Sequence, residues 1–86
     1  MILVRSASFT KDYKNLSNSD KEVVDECLKL FVLNPFNPIL QNHSLRGKLK
    51  GSFAIKVKYD LRVIYKKEKD FVLVILVAVG KHSDVY

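Results

Sequence analysis

The sequence contains little cysteine and no long apolar run. Cys27 is the only cysteine among 86 residues, which excludes an internal disulfide and a metal site built from several cysteines, and favours a reducing compartment. The longest apolar run covers nine residues, 71–79, whereas a bilayer-spanning helix needs about 20. Since the start of the chain also lacks the pattern of a signal peptide, we expect a cytoplasmic protein with no membrane partner.

Excess positive charge is confined to the second half of the chain. The net charge is +6, and the hydrophobic content of 48% fits a single packed domain over residues 1–86. Residues 1–42 hold five basic and five acidic side chains and sum to zero, whereas residues 43–86 hold ten basic and four acidic side chains and supply the whole excess. A basic surface of this kind attracts polyanions, either nucleic acid or an acidic protein segment.

Two helices are predicted in the first half. Ser6 or Ser8 caps a first helix that ends near Leu16. Ser19 and Glu22 have the spacing of a capping box, so the second helix is predicted to begin directly after Ser19. Its predicted buried stripe consists of Val24, Cys27, Leu28 and Phe31. Because the residue before a proline avoids helical geometry, the helix is predicted to end at the Asn-Pro pair of residues 34–35.

A β-hairpin is predicted over residues 53–65, where apolar and cationic side chains take turns. Since strand side chains alternate with a period of two, one face receives Phe53, Ile55, Val57, Leu61, Val63 and Tyr65, and the other receives Lys56, Lys58 and Arg62. The pattern predicts a sheet with one buried face and one open, cationic face.

The remaining segments complete an α+β pattern. Residues 2–4 form a short apolar strand, and residues 34–42 form a loop with one helical turn at Ile39-Leu40. The run 71–79 is predicted to be the central strand, because an unbroken apolar run has no solvent face, and Gly80 is predicted to end it. The expected order is β-α-α-β-β-β, with an antiparallel sheet packed against two N-terminal helices.

Three segments of the second half carry a family resemblance. HSLRGKLKG at 43–51, DLRVIY at 60–65 and GKHSDVY at 80–86 resemble the RelE/ParE superfamily of bacterial toxins, and most closely its YafQ-like branch. The most specific parts are the His-x-Leu-x-Gly start, the Arg-Val-Ile-Tyr run and the closing Gly-x-His-x-x-x-aromatic pattern. The resemblance covers nearly the whole chain and implies a RelE-like fold.

The resemblance also implies a function. Such a protein is the toxin of a type II toxin-antitoxin system, and its implied activity is ribosome-dependent cleavage of messenger RNA without metal or cofactor. The expected partners are the ribosome, the message and a cognate antitoxin with an acidic, partly disordered segment. The toxin is expected to be a monomer when free and part of a hetero-oligomer with its antitoxin.

The chain contains only two histidines that could transfer protons. Metal-free RNA cleavage needs a base for the ribose 2′-OH, an acid for the 5′-oxygen and cations for the charge on the phosphate. An unperturbed imidazole titrates near pH ~6.5, which suits proton transfer. The resemblance implies that His82 is the general acid. His43 matches the first histidine of the YafQ-like pattern and is a base, a phosphate ligand or an anchor of its loop.

The hairpin departs from the YafQ-like pattern. Ala54 and Lys56 stand where that pattern has an acidic residue and a second histidine, whereas Lys56 and Arg62 resemble the RelE arrangement of cations around the phosphate. A protonated lysine stabilises charge better than it accepts a proton. Asp60 keeps the YafQ-like carboxylate and either orients a histidine or forms the turn. Tyr86 either stacks on an unpaired base or packs against the sheet.

The other cations of the basic half are predicted to contact RNA. They are Arg46, Lys48, Lys50, Lys58 and Lys81. Two other functions stay open, namely ParE-like inhibition of DNA gyrase and non-catalytic binding of RNA or an acidic partner, because one fold serves several activities. His82 and Tyr86 argue against the gyrase inhibitor.

Overall fold

A computed structural model describes residues 1–86 as an α+β structure with one five-stranded sheet. The strands are β1 (Ile2–Arg5), β2 (His43–Ser44), β3 (Phe53–Lys58), β4 (Leu61–Glu68) and β5 (Leu73–Lys81), and the helices are α1 (Ala7–Lys14), α2 (Asn18–Leu33) and α3 (His82–Val85). The predicted class and β-α-α-β-β-β order are confirmed, and the two-residue β2 and four-residue α3 are additional elements. None of the helices has the length and apolar character needed to cross a membrane.

The sheet has the order β1-β5-β4-β3-β2, so its central strand is β4. β1 runs parallel to β5, and the other neighbouring pairs are antiparallel, so the sheet is mixed where a wholly antiparallel sheet was predicted. The prediction that residues 71–79 form the central strand is wrong, since β5 lies second from the edge of the sheet. Phe71 and Val72 do not belong to β5 but to the turn that precedes it. Alternate residues of β5 are only half buried, because its outer neighbour is a short edge strand. An apolar run alone therefore does not distinguish the strand next to the edge, here β5, from the central strand β4.

Gly80 lies inside β5 and does not end it, which corrects the prediction. It pairs with Arg62 of β4, and the strand continues to Lys81. A Cβ atom at position 80 would lie 3.1 Å from Cγ1 of Val85, closer than most side-chain contacts. The glycine therefore allows α3 to pack against the end of β5.

A bulge couples β5 to α1. Val77 is the extra residue where the register between β4 and β5 shifts. The hydroxyl of Ser6 donates to the carbonyl of Val77 at 3.0 Å. The carboxylate of Asp12 accepts a hydrogen bond from the amide of Val79 at 3.2 Å. Two polar side chains of the first helical segment thus bind backbone groups of β5 at and beyond the bulge, where β1 has already ended.

Each of the two longer helices begins at a serine. Ser6 caps α1, as predicted. The predicted start of α2 is wrong, because Ser17 is the cap and accepts a hydrogen bond from the amide of Asp20 at 3.1 Å, while Ser19 lies inside the helix. Both Ser17 and Ser19 precede an acidic residue by three positions, so the sequence offered two similar starts. The predicted helix end is confirmed, since Asn34 is the C-cap.

The helices α1 and α2 and one sheet face enclose the core. The predicted stripe of α2 is confirmed, because Val24, Cys27, Leu28 and Phe31 are buried. Tyr65 at the middle of β4 is fully buried, with its ring centroid 4.9 Å from that of Phe31 and 5.4 Å from that of Phe53. Its hydroxyl donates to Oδ1 of Asn42 at 2.7 Å, so the core ring also fixes the loop that precedes β2.

The opposite sheet face is less open than predicted. The predicted inward set is largely confirmed, with Ile55, Leu61, Val63 and Tyr65 in the core and Phe53 and Val57 packed against it. On the other face, however, Ala54 and Ile64 are also buried. Of the hairpin cations predicted to lie on that face, Lys56 and Arg62 keep partial exposure there. Buried apolar side chains therefore interrupt the cationic face around these two residues.

Candidate active site

The sheet register brings four of the predicted catalytic residues close together. Lys56 of β3 pairs with Arg62 of β4, which pairs with Gly80 of β5. His82 begins α3 directly after β5. On the other side of β3, His43 of β2 pairs with Ala54. Residues far apart in the chain thus converge on one end of the sheet.

Tyr86 connects the two histidines. Its ring centroid lies 4.2 Å from that of His82, with 54° between the ring planes. Its hydroxyl lies 3.4 Å from Nε2 of His43, and Nδ1 of His43 lies 2.8 Å from the carbonyl oxygen of Gln41. Both histidines and Tyr86 are exposed, so a ligand can reach them directly.

The guanidinium of Arg62 lies over the β3–β4 turn. Its Nη1 atom is within hydrogen-bond distance of the carbonyl oxygens of Lys58, Tyr59 and Leu61, at 2.8, 3.1 and 3.2 Å. These contacts leave the rest of the guanidinium fork for an anion. Burial raises the pKa of Tyr86, and the nearby positive charge of Arg62 partly opposes this shift. The Tyr86 hydroxyl is therefore protonated at neutral pH and can donate a hydrogen bond.

The contacts of Asp60 and Lys58 differ from those predicted from the sequence, which were a histidine ring for the Asp60 carboxylate and RNA for Lys58. Asp60 lies in the β3–β4 turn, and its backbone carbonyl accepts a hydrogen bond from the amide of His82 at 2.9 Å. Its contact with a histidine therefore runs through the main chain. Nζ of Lys58 lies 2.6 Å from Oδ1 of Asp20, and this hydrogen bond raises the pKa of Lys58. A bulge between Lys56 and Lys58 directs Lys58 to α2, so the prediction that it shares the open face is wrong.

The basic loop forms a shallow cleft beside Tyr86. Arg46, Lys48 and Lys50 are exposed around the 3₁₀ turn of residues 47–49. Arg46, Lys48 and Tyr86, together with Leu45 and Leu49, line a cleft of about 270 Å³. Lys81 is exposed on the other side of His82. Cations thus flank the pair of histidines on two sides.

The largest cavity does not contain the predicted catalytic residues. It measures about 560 Å³ and lies between the α1–α2 connection, the end of β5 and α3. Its walls include Asp12, Asp20 and Asp84, and Lys81 is the one predicted RNA contact among them. Such a cavity is poorly suited to a phosphate, because carboxylates repel it. No group of three or more His, Cys, Asp or Glu side chains is arranged to hold a metal ion.

Two residues that support His43 were not predicted from the sequence. Asn42 donates through Nδ2 to the carbonyl of Pro35 at 2.9 Å and accepts from the buried hydroxyl of Tyr65. Gln41 has a left-handed backbone, with φ 47° and ψ 43°. In the sequence, only their position directly before His43 could have singled them out.

A family model matches the whole chain that contains this site. The family model described as "Bacterial toxin of type II toxin-antitoxin system, YafQ" matches residues 1–86. The chain belongs to the YafQ toxin family. The predicted membership is confirmed, and this YafQ-family toxin is a toxin of the type II toxin-antitoxin class.

Solved toxin structures share the fold of this YafQ-family toxin. YafQ from E. coli strain BL21(DE3) has a TM-score of 0.84 and 22% identity, over 99% of this chain and 97% of that chain. YafQ in the E. coli DinJ-YafQ toxin-antitoxin complex gives a TM-score of 0.80 and 22% identity, over 99% and 96%. A copper-bound mutant toxin from Helicobacter pylori gives 0.72 and 30% identity, over 98% and 97%. No curated protein sequence matches this chain. The likeness confirms the predicted RelE-like fold.

Proposed function

We propose that this YafQ-family toxin is a ribosome-dependent endoribonuclease that cleaves messenger RNA by metal-free acid–base chemistry. The observation that carries the proposal is the contact of Tyr86 with both His43 and His82, close to the cross-strand pair of Lys56 and Arg62. This arrangement supplies two titratable rings, an aromatic surface and two cations in one exposed place. These are the groups that the reaction needs.

The two histidines divide the proton transfers. His43 takes the proton of the ribose 2′-OH, and the 2′-oxygen attacks the adjacent phosphorus. As the bond between phosphorus and the 5′-oxygen breaks, His82 donates a proton to that oxygen. The products are a 2′,3′-cyclic phosphate and a 5′-hydroxyl. One proton then passes from His43 to solvent and one from solvent to His82, which restores both residues.

The cations and the aromatic ring hold the reacting nucleotides. Lys56 and the free part of the Arg62 guanidinium stabilise the negative charge that grows on the phosphate. Tyr86 offers its ring for stacking on an unpaired base. Asp60 contributes by its backbone carbonyl, which fixes the first residue of α3 and hence the position of His82.

The surface around the site is suited to a message held by the ribosome. Arg46, Lys48, Lys50 and Lys81 provide exposed positive charge on both sides of the histidines, where they contact RNA phosphates. Lys58 contributes less, since Asp20 already pairs with it. The site is shallow and cannot orient a flexible RNA strand alone. The ribosome supplies that orientation by holding the message in its decoding site.

We also propose that a cognate antitoxin binds this toxin. The E. coli relative has been solved in complex with DinJ, its antitoxin. Here the excess charge of +6 comes from the half of the chain that contains the site, which favours an acidic and partly disordered partner segment. The toxin is then a monomer when free and part of a hetero-oligomer in the complex.

Purified toxin, translating ribosomes and a defined message test the proposed activity. New 3′ ends that carry a cyclic phosphate are expected with ribosomes, and none with the His82→Ala variant as matched control. Cleavage of a message with a 2′-deoxynucleotide at the cut position would indicate attack by water and would refute the 2′-OH mechanism, whereas linear phosphate ends also arise when water opens the cyclic phosphate. A parallel assay of DNA supercoiling by gyrase identifies the ParE-like alternative, whereas RNA binding without cleavage or gyrase inhibition identifies the non-catalytic module.

A further inference from the structure

We propose that the backbone of Gln41 is a positioning element that holds His43 in the tautomer with its proton on Nδ1, so that Nε2 is left to accept the proton of the substrate. The proposal deepens the acid–base mechanism and rests on the proposed RNA cleavage. It makes Gln41 a positioning residue, which acts through His43 and does not touch RNA.

The tautomer follows from the partners of the two ring nitrogens. Nδ1 of His43 lies 2.8 Å from the carbonyl oxygen of Gln41, and a carbonyl oxygen can only accept a hydrogen bond. Nδ1 therefore carries the proton. A neutral imidazole has a single N–H group, so Nε2 has a free lone pair. Its neighbour is the hydroxyl of Tyr86 at 3.4 Å, which can donate to it and marks the place of an incoming 2′-OH.

The carbonyl of Gln41 reaches His43 because the Gln41 backbone is left-handed. Its φ of 47° and ψ of 43° are uncommon for a residue with a side chain, because the Cβ atom crowds the following carbonyl oxygen in this conformation. The amide of Gln41 bonds to the carbonyl of Pro38 at 3.2 Å, and this contact closes a 3₁₀ turn over Pro38–Leu40. Strain of this kind persists only where surrounding contacts impose it, and it is concentrated at functional sites.

The next residue supplies the rigid support for this conformation. Asn42 bonds to the carbonyl of Pro35 at 2.9 Å and to the hydroxyl of Tyr65 at 2.7 Å. Tyr65 is fully buried in the centre of the sheet. The orientation of the His43 ring is thus connected to the core through two polar contacts and one strained residue. The exposed histidine itself needs no burial to be held in place.

His82 lacks an equivalent support. The structure records no hydrogen bond to its ring, which only packs on Tyr86. Both of its nitrogens can therefore carry protons without losing a protein partner, as a proton donor requires. The contrast between a ring with a fixed acceptor nitrogen and a ring without fixed partners supports the assignment of His43 as base and His82 as acid.

Nitrogen NMR of the imidazole rings at about pH 8, where an unperturbed imidazole is neutral, tests the proposal without any activity assay. Only two histidines give signals, and the His43→Gln variant assigns them. We expect a pyrrole-type shift for Nδ1 of His43 and a pyridine-type shift for Nε2. The opposite pattern in the unmodified toxin would overturn the proposal, whether or not the protein cleaves RNA.

Two variants of Gln41 test its role in turnover. Gln41→Val disfavours the left-handed backbone, whereas Gln41→Gly, the matched control, adopts it freely. We expect the valine variant to lose the Nδ1–H tautomer and about 10- to 100-fold in kcat, by analogy with the loss on removing a partner that orients a metal-bound histidine. The glycine variant should keep both. A valine variant with unchanged tautomer and kcat would overturn the proposal. The expected tautomers without cleavage by any variant would instead reject only the proposed RNA cleavage.

Discussion

Replacing His82 by alanine should remove cleavage and leave the fold intact. The His82 side chain is exposed, and its recorded contact is with the ring of Tyr86. The backbone amide that bonds to Asp60 is also present in alanine. We therefore expect the free energy of unfolding to change by less than about 0.5 kcal/mol, as for surface substitutions in general.

The effect on the reaction should be far larger. A positioned general acid contributes about 100- to 10,000-fold to such a reaction, so the single-turnover cleavage rate on programmed ribosomes should fall by that factor. His82→Gln, which keeps a polar side chain but cannot titrate, should lose as much as His82→Ala. Urea unfolding of the same preparations provides the stability control.

Three results would contradict this reasoning. Cleavage by His82→Ala at the rate of the unmodified toxin would remove His82 from the mechanism. A loss of stability by several kcal/mol would show that the rate reports unfolding, and hence that α3 supports the core more than its exposure indicates. Normal cleavage by His82→Gln alone would assign His82 to hydrogen bonding and not to proton transfer.

Further predictions concern phosphate binding, alkaline stability and the partner. Lys56→Ala and Arg62→Ala should each slow cleavage by about 10- to 1,000-fold, and two silent variants would contradict the role given to these cations. Burial raises the pKa of Tyr65 to about 12 and that of Cys27 to about 11, so the native state keeps protons that the unfolded chain loses. This contribution to stability is complete below the pKa of the unfolded chain, which is about 10 for Tyr65 and about 9 for Cys27. It is lost as pH rises from that value to the folded pKa of the same group, by about 2 to 3 kcal/mol for each group. Urea unfolding at neutral pH and at about pH 11 checks this, and a smaller loss in Tyr65→Phe and Cys27→Ala is required. Association with the antitoxin should slow as salt rises while dissociation changes little, and salt-independent association in stopped-flow measurements would exclude electrostatic steering.

Much of the fold could be predicted because its signals are local. The α2 stripe repeats with the period of a helix, and the hairpin alternates with the period of a strand, so burial of Phe31 and Val63 follows from neighbouring residues alone. The end of α2 at Asn34 follows from the proline after it. The predictions that failed depended on competition between similar signals, such as the two serines that could cap α2, or on what lies across the sheet, as for the position of β5.

The contacts within the candidate site were harder to predict from the sequence than the fold. The motifs identified His43, His82 and Tyr86 as residues of interest, but the contact between Tyr86 and His43 joins positions 43 residues apart. Lys58 could not be distinguished from Lys56 by alternation, because a bulge shifts it to Asp20. Distances across the sheet and backbone angles are products of the whole fold, and a linear pattern does not contain them.

The parallel pairing of β1 with β5 has a consequence for the order in which the molecule assembles. Ser6 and Val77, which are in direct contact, are 71 positions apart, and closing a loop of that length costs about 4 kcal/mol of chain entropy. During synthesis, β1 and α1 emerge long before their partner strand exists. His82 and Tyr86 follow β5 directly. Tyr86 can therefore connect the two histidines only after β5 has been synthesised. Unfinished chains that lack these residues therefore cannot assemble the proposed active site.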